Sequence, residues 1–315
     1  MGLLLLGAPG LYAAGRSAFS FLLIPPGARA SAMGGSYAGV ASGAETLSVN
    51  PAGLADEIAT QLSFQLLFFV DGILYDNVFF IHPTRKGAWG AQAGFLGVGG
   101  LKRTVADPSV QDGFRETGDF TTQHIQAALS FGQRITKGLD LGLTARFARE
   151  SLSDASANAA GLDLGLVYRR GGSPVKLGLA VQHLGSQVKF KNESYELPRL
   201  IRAGVSVRRP KESALRWVPE KTLATLETVR LIDGGDQSIA GGAEVPLFER
   251  KLALRMGYHY FLKKQSLGSN LSLPSGFAFG LGFQHNLWSF DYAANSFGEL
   301  GLAHRLSLSL KFASQ

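Results

Sequence analysis

The chain contains no cysteine. That excludes a disulfide framework and any thiolate metal site. Charge is sparse: 17% of its 315 residues are Asp, Glu, Lys or Arg, against about 25% in a typical soluble domain. No apolar run approaches the ~18 residues of a membrane-spanning helix. A chain of this composition that crosses a membrane must do so as a closed barrel, because unpaired backbone groups are too costly in lipid.

Signatures of chemistry are missing as well. The six His residues show no HxH or HExxH spacing for a metal, and no GxSxG nucleophile elbow occurs. The run GVGG at Gly97 to Gly100 lacks the full GxGxxG pattern and opens a predicted surface loop. The sequence therefore predicts a non-enzymatic protein without cofactor or metal. The formal charge is +7, but Lys and Arg are dispersed and fall on predicted turns. Nucleic acid is not an expected partner.

What the chain has in quantity is glycine, 40 residues, and strict two-residue alternation. In RLSLSLKF, Leu306, Leu308, Leu310 and Phe312 share one face, and Ser307, Ser309 and Lys311 the other. One oily face and one polar face suit a barrel wall. The pattern recurs at Thr60–Phe69, Ile73–Ile81, Ala88–Leu96, Phe120–Phe131, Gly138–Ala148, Gly161–Tyr168 and Val175–Gln182. It continues at Leu200–Arg208, Lys221–Ile232, Ser238–Val245, Lys251–Tyr260, Gly276–Gln284, Leu287–Ala294 and Ala303–Phe312. The second and ninth segments alternate least well. The count of fourteen is even, as a bacterial single-chain barrel requires. The fold expected is an all-β, transmembrane antiparallel barrel.

Connection lengths give a second test. Gly97 to Asp119, Leu184 to Arg199 and Phe261 to Ser275 are long. Gly132 to Lys137, Arg169 to Ser173, Glu249–Arg250 and His285–Asn286 are short, and only Arg209 to Glu220 breaks the alternation. Long outer loops and short inner turns are the barrel pattern. The short side is basic, with Arg85, Lys86, Arg134, Lys137, Arg169, Arg170, Arg208, Arg209, Lys211, Arg250 and Lys251. Such turns are either solvated or drawn to anionic headgroups or an acidic partner. Parity places Asp140, Arg146, Asp163, Lys176, Arg202, Arg255, His259 and Asp291 inside. Their mixed signs predict paired charges in a narrow lumen rather than a single-sign filter.

Residues 1–14, with Leu3 to Leu6 followed by Ala13 and Ala14, read as a secretory-signal remnant whose positive first part is missing. Residues 15–59 are too rich in small residues for a core of their own, and the barrel occupies 60–315. Asn50 before Pro51 is a capped helix start. The segment is expected to pack in the lumen, with Arg29 paired to an inward carboxylate such as Asp140, Asp163 or Asp291, since a buried unpaired guanidinium is too costly.

Several motifs resemble the PorV/PorQ family, part of the wider FadL-like outer-membrane barrels. They are GARASAMGG at Gly27 to Gly35, NPAGLA at Asn50 to Ala55, GLDLGLVYR at Gly161 to Arg169, VKLGLAVQHLG at Val175 to Gly185 and SFGELGLAHRLSLSLKF at Ser296 to Phe312. The stretch Lys221 to Gln237 departs from a clean strand at Glu227 and Arg230. The resemblance implies a bacterial outer-membrane barrel of fourteen strands with the N-terminal segment as a hatch, built on Arg29, Met33, Gly34, Gly35, Asn50, Pro51 and Gly53. A PorV-like role in protein export or surface presentation is the leading implication, with secretion-system components or exported cargo as partners alongside outer-membrane lipid. The alternatives are a FadL-like channel with a hydrophobic ligand in the lumen, and a structural envelope scaffold.

Overall fold

The computed structural model describes residues 18–25, 27–69, 72–110, 113–153, 155–190, 193–210, 218–233, 236–262, 276–298 and 301–312. The predicted signal remnant lies outside these residues. The strands are β1 (Thr60–Phe68), β2 (Leu74–Thr84), β3 (Gly87–Ala106), β4 (Phe114–Thr136), β5 (Leu139–Leu152), β6 (Ala155–Arg169), β7 (Val175–Gly185), β8 (Val188–Phe190), β9 (Glu193–Tyr195), β10 (Leu200–Arg208), β11 (Leu223–Leu231), β12 (Gln237–Leu247), β13 (Leu252–Phe261), β14 (Phe277–His285), β15 (Trp288–Ser296) and β16 (Leu302–Phe312). All but β8 and β9 form one closed barrel of fourteen antiparallel neighbours. It closes where β1 meets β16, with Thr60 opposite Phe312 and Phe68 opposite His304. The short strands β8 and β9 pair as a hairpin in the connection from β7 to β10.

Alternation decides which way each side chain points. On β5, Leu141, Leu143 and Phe147 are exposed, while Asp140, Thr144 and Arg146 are buried. The same holds on β1, where Phe64 and Leu66 face out and Ser63 and Gln65 face in. Exposed Leu129, Leu177, Leu226, Met256, Phe279 and Phe290 extend the apolar surface around the barrel. So wide an exposed apolar surface requires an apolar solvent, and lipid is that solvent.

The stretch Gly97 to Asp119, expected as a loop, is mostly strand. β3 runs on to Ala106 and β4 starts at Phe114, with register shifts between Val98 and Leu101 and between Arg103 and Thr104. GVGG therefore lies in β3, and opens no surface loop. Likewise β5 and β6 continue past Ala148 and start before Gly161. Alternation lapses in the β3–β4 extension because water lies on both faces, whereas β6 still alternates there, with Ala157 and Ala159 buried. The β3–β4 extension is held instead by backbone pairing and exposed ion pairs such as Lys102–Asp119 at 3.0 Å.

Candidate functional site

The lumen is filled by the chain's own N-terminal segment. It includes a 3-10 turn at Ser20–Leu23, helix α1 (Ala28–Ala32), helix α2 (Thr46–Val49) and a second 3-10 turn at Pro51–Asp56. Phe19 and Phe21 lie toward the long-hairpin end, against Leu67, Tyr75 and Leu96. Asp56 lies at the short-turn end, beside Arg169 and Lys176.

The glycine excess explains the fit. Inward-facing Gly132, Gly142 and Gly165 leave room for Pro51 to Ala55; Gly178 and Gly204 for Ala38 and Gly39; Gly242 and Gly257 for Met33 and Gly34. At each of these wall positions a β-carbon would come within 3.3 Å of the segment or of a neighbouring side chain. Gly34 has φ +70°, and a β-carbon there would sit 2.7 Å from the Tyr258 carbonyl oxygen. Gly35 follows at φ +83° and donates its N–H to Ala30 O at 2.9 Å, closing α1. Both are left-handed conformations that glycine adopts without a steric penalty. Met33 is fully buried. Gly53 lets the second 3-10 turn cross Ala41 and Thr46 at close range.

Polar contacts then anchor the segment at several heights. At the base, Asp56 takes hydrogen bonds from Arg134, from Arg169 at 2.5 Å and from Lys176 at 3.1 Å. Asp140 joins this cluster through Arg134 at 2.9 Å and through Arg169. Burial raises the Asp56 carboxyl, but Arg169 and Lys176 outweigh it and hold it down at about 2. Asn50 caps the 3-10 turn by accepting from Ala52 N at 3.2 Å, and its amide donates to Ala38 O and Leu166 O. Pro51 occupies the first position of that turn, where no N–H is needed.

Midway up, Arg29 meets Glu244 through two bonds of 2.7 and 2.8 Å. Glu244 is also held by Arg255 at 2.7 Å, and Arg255 reaches Asp291 at 2.7 Å. The partner of Arg29 is an inward wall carboxylate, as expected, but it is Glu244 and none of Asp140, Asp163 and Asp291. Asp140 and Asp163 serve other cations, and Asp291 is one link further along the same chain. Glu227 accepts the Tyr37 and Ala38 backbone N–H groups at 2.7 and 2.6 Å, and Arg202 at 2.9 Å. The residue that made this hairpin look irregular is thus a wall carboxylate that grips the segment. His259 donates from Nδ1 to Gly34 O at 3.0 Å. Arg146 pairs with Asp163 at 2.9 Å, and Asp163 also accepts His183 N–H at 2.7 Å where β6 and β7 shift register.

Two carboxylates of the segment itself, Glu45 and Asp56, and two of the wall, Glu227 and Glu244, were absent from the expected set. For the wall pair the signal was available, since both fall on inward parity in β11 and β12. Glu45 accepts Arg29 N–H and Ala30 N–H at 2.9 and 2.6 Å, capping α1. Burial, reinforced by the nearby Asp291 charge, pushes its carboxyl up to about 7.

Two chambers flank these contacts. The upper one is apolar and occupied by Phe19 and Phe21; Phe21 lies edge-on to Tyr75 at 6.4 Å. The lower one is a cavity of about 380 Å³ whose lining includes Arg29, Glu45, Glu244, Arg255, Ser289 and Lys311. The apolar chamber and the filled lumen are the candidate site. Among the described residues no cluster of metal-ligating side chains occurs.

No protein-family profile and no curated protein matches the sequence. Solved structures do. The toluene transporter TbuX of Ralstonia pickettii is 15% identical, with a TM-score of 0.62 over 91% of this chain and 98% of that one. The fold is the FadL-like barrel. The toluene transporter TodX of Pseudomonas putida shares this FadL-like architecture at 14% identity and a TM-score of 0.59, over 89% of this chain and 95% of that one. A FadL homologue of Pseudomonas aeruginosa does so at 13% identity and 0.52, over 90% and 96%.

Proposed function

We propose that this FadL-like barrel is a bacterial outer-membrane channel for hydrophobic small molecules, with residues 15–59 as its hatch. The observation that carries the reading is the upper chamber, an apolar compartment inside a barrel, filled by two phenylalanines of the same chain. A solute without apolar surface cannot cover that wall. A hydrophobic solute can replace Phe19 and Phe21 while keeping the apolar wall covered, which conserves most of the burial energy. Two proteins of the same fold, TbuX and TodX, are toluene transporters, which supports the class of cargo. The chain carries out no reaction on this reading.

Two measurements test it. In cells with an intact lipopolysaccharide outer membrane, expression should raise uptake of labelled toluene above that of cells without the barrel; no increase overturns the channel. Deleting Gly27 to Asn50 should leave a barrel that inserts yet conducts ions in planar bilayers far more than the intact protein. Unchanged conductance overturns the hatch.

The PorV/PorQ-like motifs support a second reading, protein export or surface presentation, in which the basic short-turn face meets an acidic partner. A pull-down from outer membranes separates the two: co-purifying cargo or secretion components favour export, and extracted hydrophobe without protein favours the channel. A lone barrel with neither favours a structural scaffold.

A further inference from the structure

The segment that fills the upper chamber is a template for what the chamber accepts. Phe19 and Phe21 supply two rings with centroids 6.2 Å apart. The occupant also makes a polar contact with the wall: Phe19 N–H donates to Glu150 Oε2 at 2.7 Å. Among the described residues this is the only hydrogen bond that the Glu150 carboxylate makes. His124 stands beside it, with Nδ1 3.8 Å from Glu150 Oε1. That nitrogen is buried and has no hydrogen-bond partner, and the His124 ring lies 5.1 Å from the ring of Phe21. A carboxylate acceptor and an imidazole nitrogen therefore share the edge of an otherwise apolar compartment.

When Phe19 and Phe21 leave, Glu150 loses its donor. A bare hydrocarbon in their place covers the apolar wall and leaves the carboxylate unpaired, a loss larger than an ordinary hydrogen bond is worth. A hydroxyl repairs this. It donates to Glu150, and its oxygen accepts from His124 in the tautomer that carries the proton on Nδ1. A ligand carboxylate would instead meet Glu150 as a like charge. We propose that the ligand class is a compact hydrophobe bearing one neutral hydroxyl, a phenol or an alcohol, and that Glu150 and His124 read that hydroxyl. This rests on the channel reading above.

Toluene and para-cresol differ by one hydroxyl and form the test pair. Each is titrated calorimetrically into the full chain in detergent, with empty micelles as the blank. A hydrogen bond to a charged acceptor predicts about tenfold tighter binding of para-cresol. Glu150→Leu should abolish that preference. Glu150→Gln keeps an acceptor oxygen in a side chain of the same shape and should show an intermediate preference, so the test survives if the leucine variant does not assemble. Equal binding of both compounds by the wild type, or an undiminished preference in the variants, overturns the hydroxyl assignment and leaves the channel standing. Binding of neither compound overturns both.

Discussion

Arg29 and Glu244 face each other through a two-bond contact, Nε to Oε2 at 2.7 Å and Nη2 to Oε1 at 2.8 Å, which ties the inner segment to the wall of the barrel. The two ends of the pair are unequal. Arg29→Ala leaves Glu244 in the hands of Arg255, whereas Glu244→Ala removes the shared acceptor of two guanidinium groups. Breaking a buried pair so that a charge is stranded costs about 3–5 kcal/mol. Glu244→Ala should therefore destabilise the protein more than Arg29→Ala in urea unfolding from lipid vesicles. An equal or reversed order would mean that Arg255 does not depend on Glu244.

Lipid-facing and lumen-facing positions should respond in opposite ways to a new charge. Leu141 is exposed on the barrel exterior, and Leu141→Asp should block assembly, read as loss of the heat-modifiable band on gels, since a charge in hydrocarbon is costly. Ser289→Asp, which faces the lower cavity, should assemble. Ser307 faces inward too, but its hydroxyl accepts Ala28 N–H at 3.0 Å under helix α1, so Ser307→Asp should assemble poorly. Normal assembly of Leu141→Asp would contradict the membrane placement of this wall.

Glu45 makes the seating of the segment pH-dependent. Its carboxyl is raised from an ordinary value of 4.5 to about 7. The native chain then holds a proton that the unfolded chain has released, so this contribution is full below 4.5 and lost as pH rises toward 7. Protection of the 27–49 amides, taken relative to the intrinsic exchange rate at each pH, should fall over that window, and Glu45→Gln should remove the slope. The same slope in the glutamine variant would assign it elsewhere.

Asp56 carries the opposite sign. Held at about 2 by its cationic neighbours, it contributes stability above its ordinary value of 3.8 that disappears as pH falls toward 2. Asp56→Asn should lower stability at neutral pH and flatten the acid limb of the unfolding curve. An unchanged acid limb would show that the cluster with Arg134, Arg169 and Lys176 is not what fails in acid.

The inward glycines predict a steric effect. Gly242→Leu would drive a side chain into Met33, whose Cβ would lie 2.6 Å from the new β-carbon. Overpacking of this kind typically costs about 1–3 kcal/mol. Here the wall is braced by its ladder, so the segment should yield first, seen as raised ion conductance with normal gel mobility. Low conductance would indicate that the barrel can widen locally.

Period-two alternation made the wall legible in the sequence, because lipid on one face and the filled lumen on the other impose opposite demands on neighbouring residues. The same parity located Asp140, Arg146, Asp163 and Arg255 on the inside. It lost the continuation of β3 to Ala106, where both faces meet water and no alternation is required. It also could not assign Arg29 to Glu244, since partners across a lumen depend on the path of the segment and not on strand periodicity. Glu227 is irregular as a strand residue only in the sequence; its place is fixed by two backbone donors opposite, Tyr37 and Ala38.

The holds on the inner segment are graded along its length. Asp56, four residues before β1 begins, is gripped by three cations. Higher up, single carboxylates, Glu244 and Glu227, do the gripping. At Phe19 a backbone N–H reaches Glu150 on the wall, and two rings sit in an apolar seat. Local opening starts where contacts are weakest, so the segment should unzip from Phe19 downward while its root at Asp56 stays fixed. On the proposed channel function, a solute arriving at the upper mouth meets the loose end first, and the depth it reaches is set by how many of these teeth it can part.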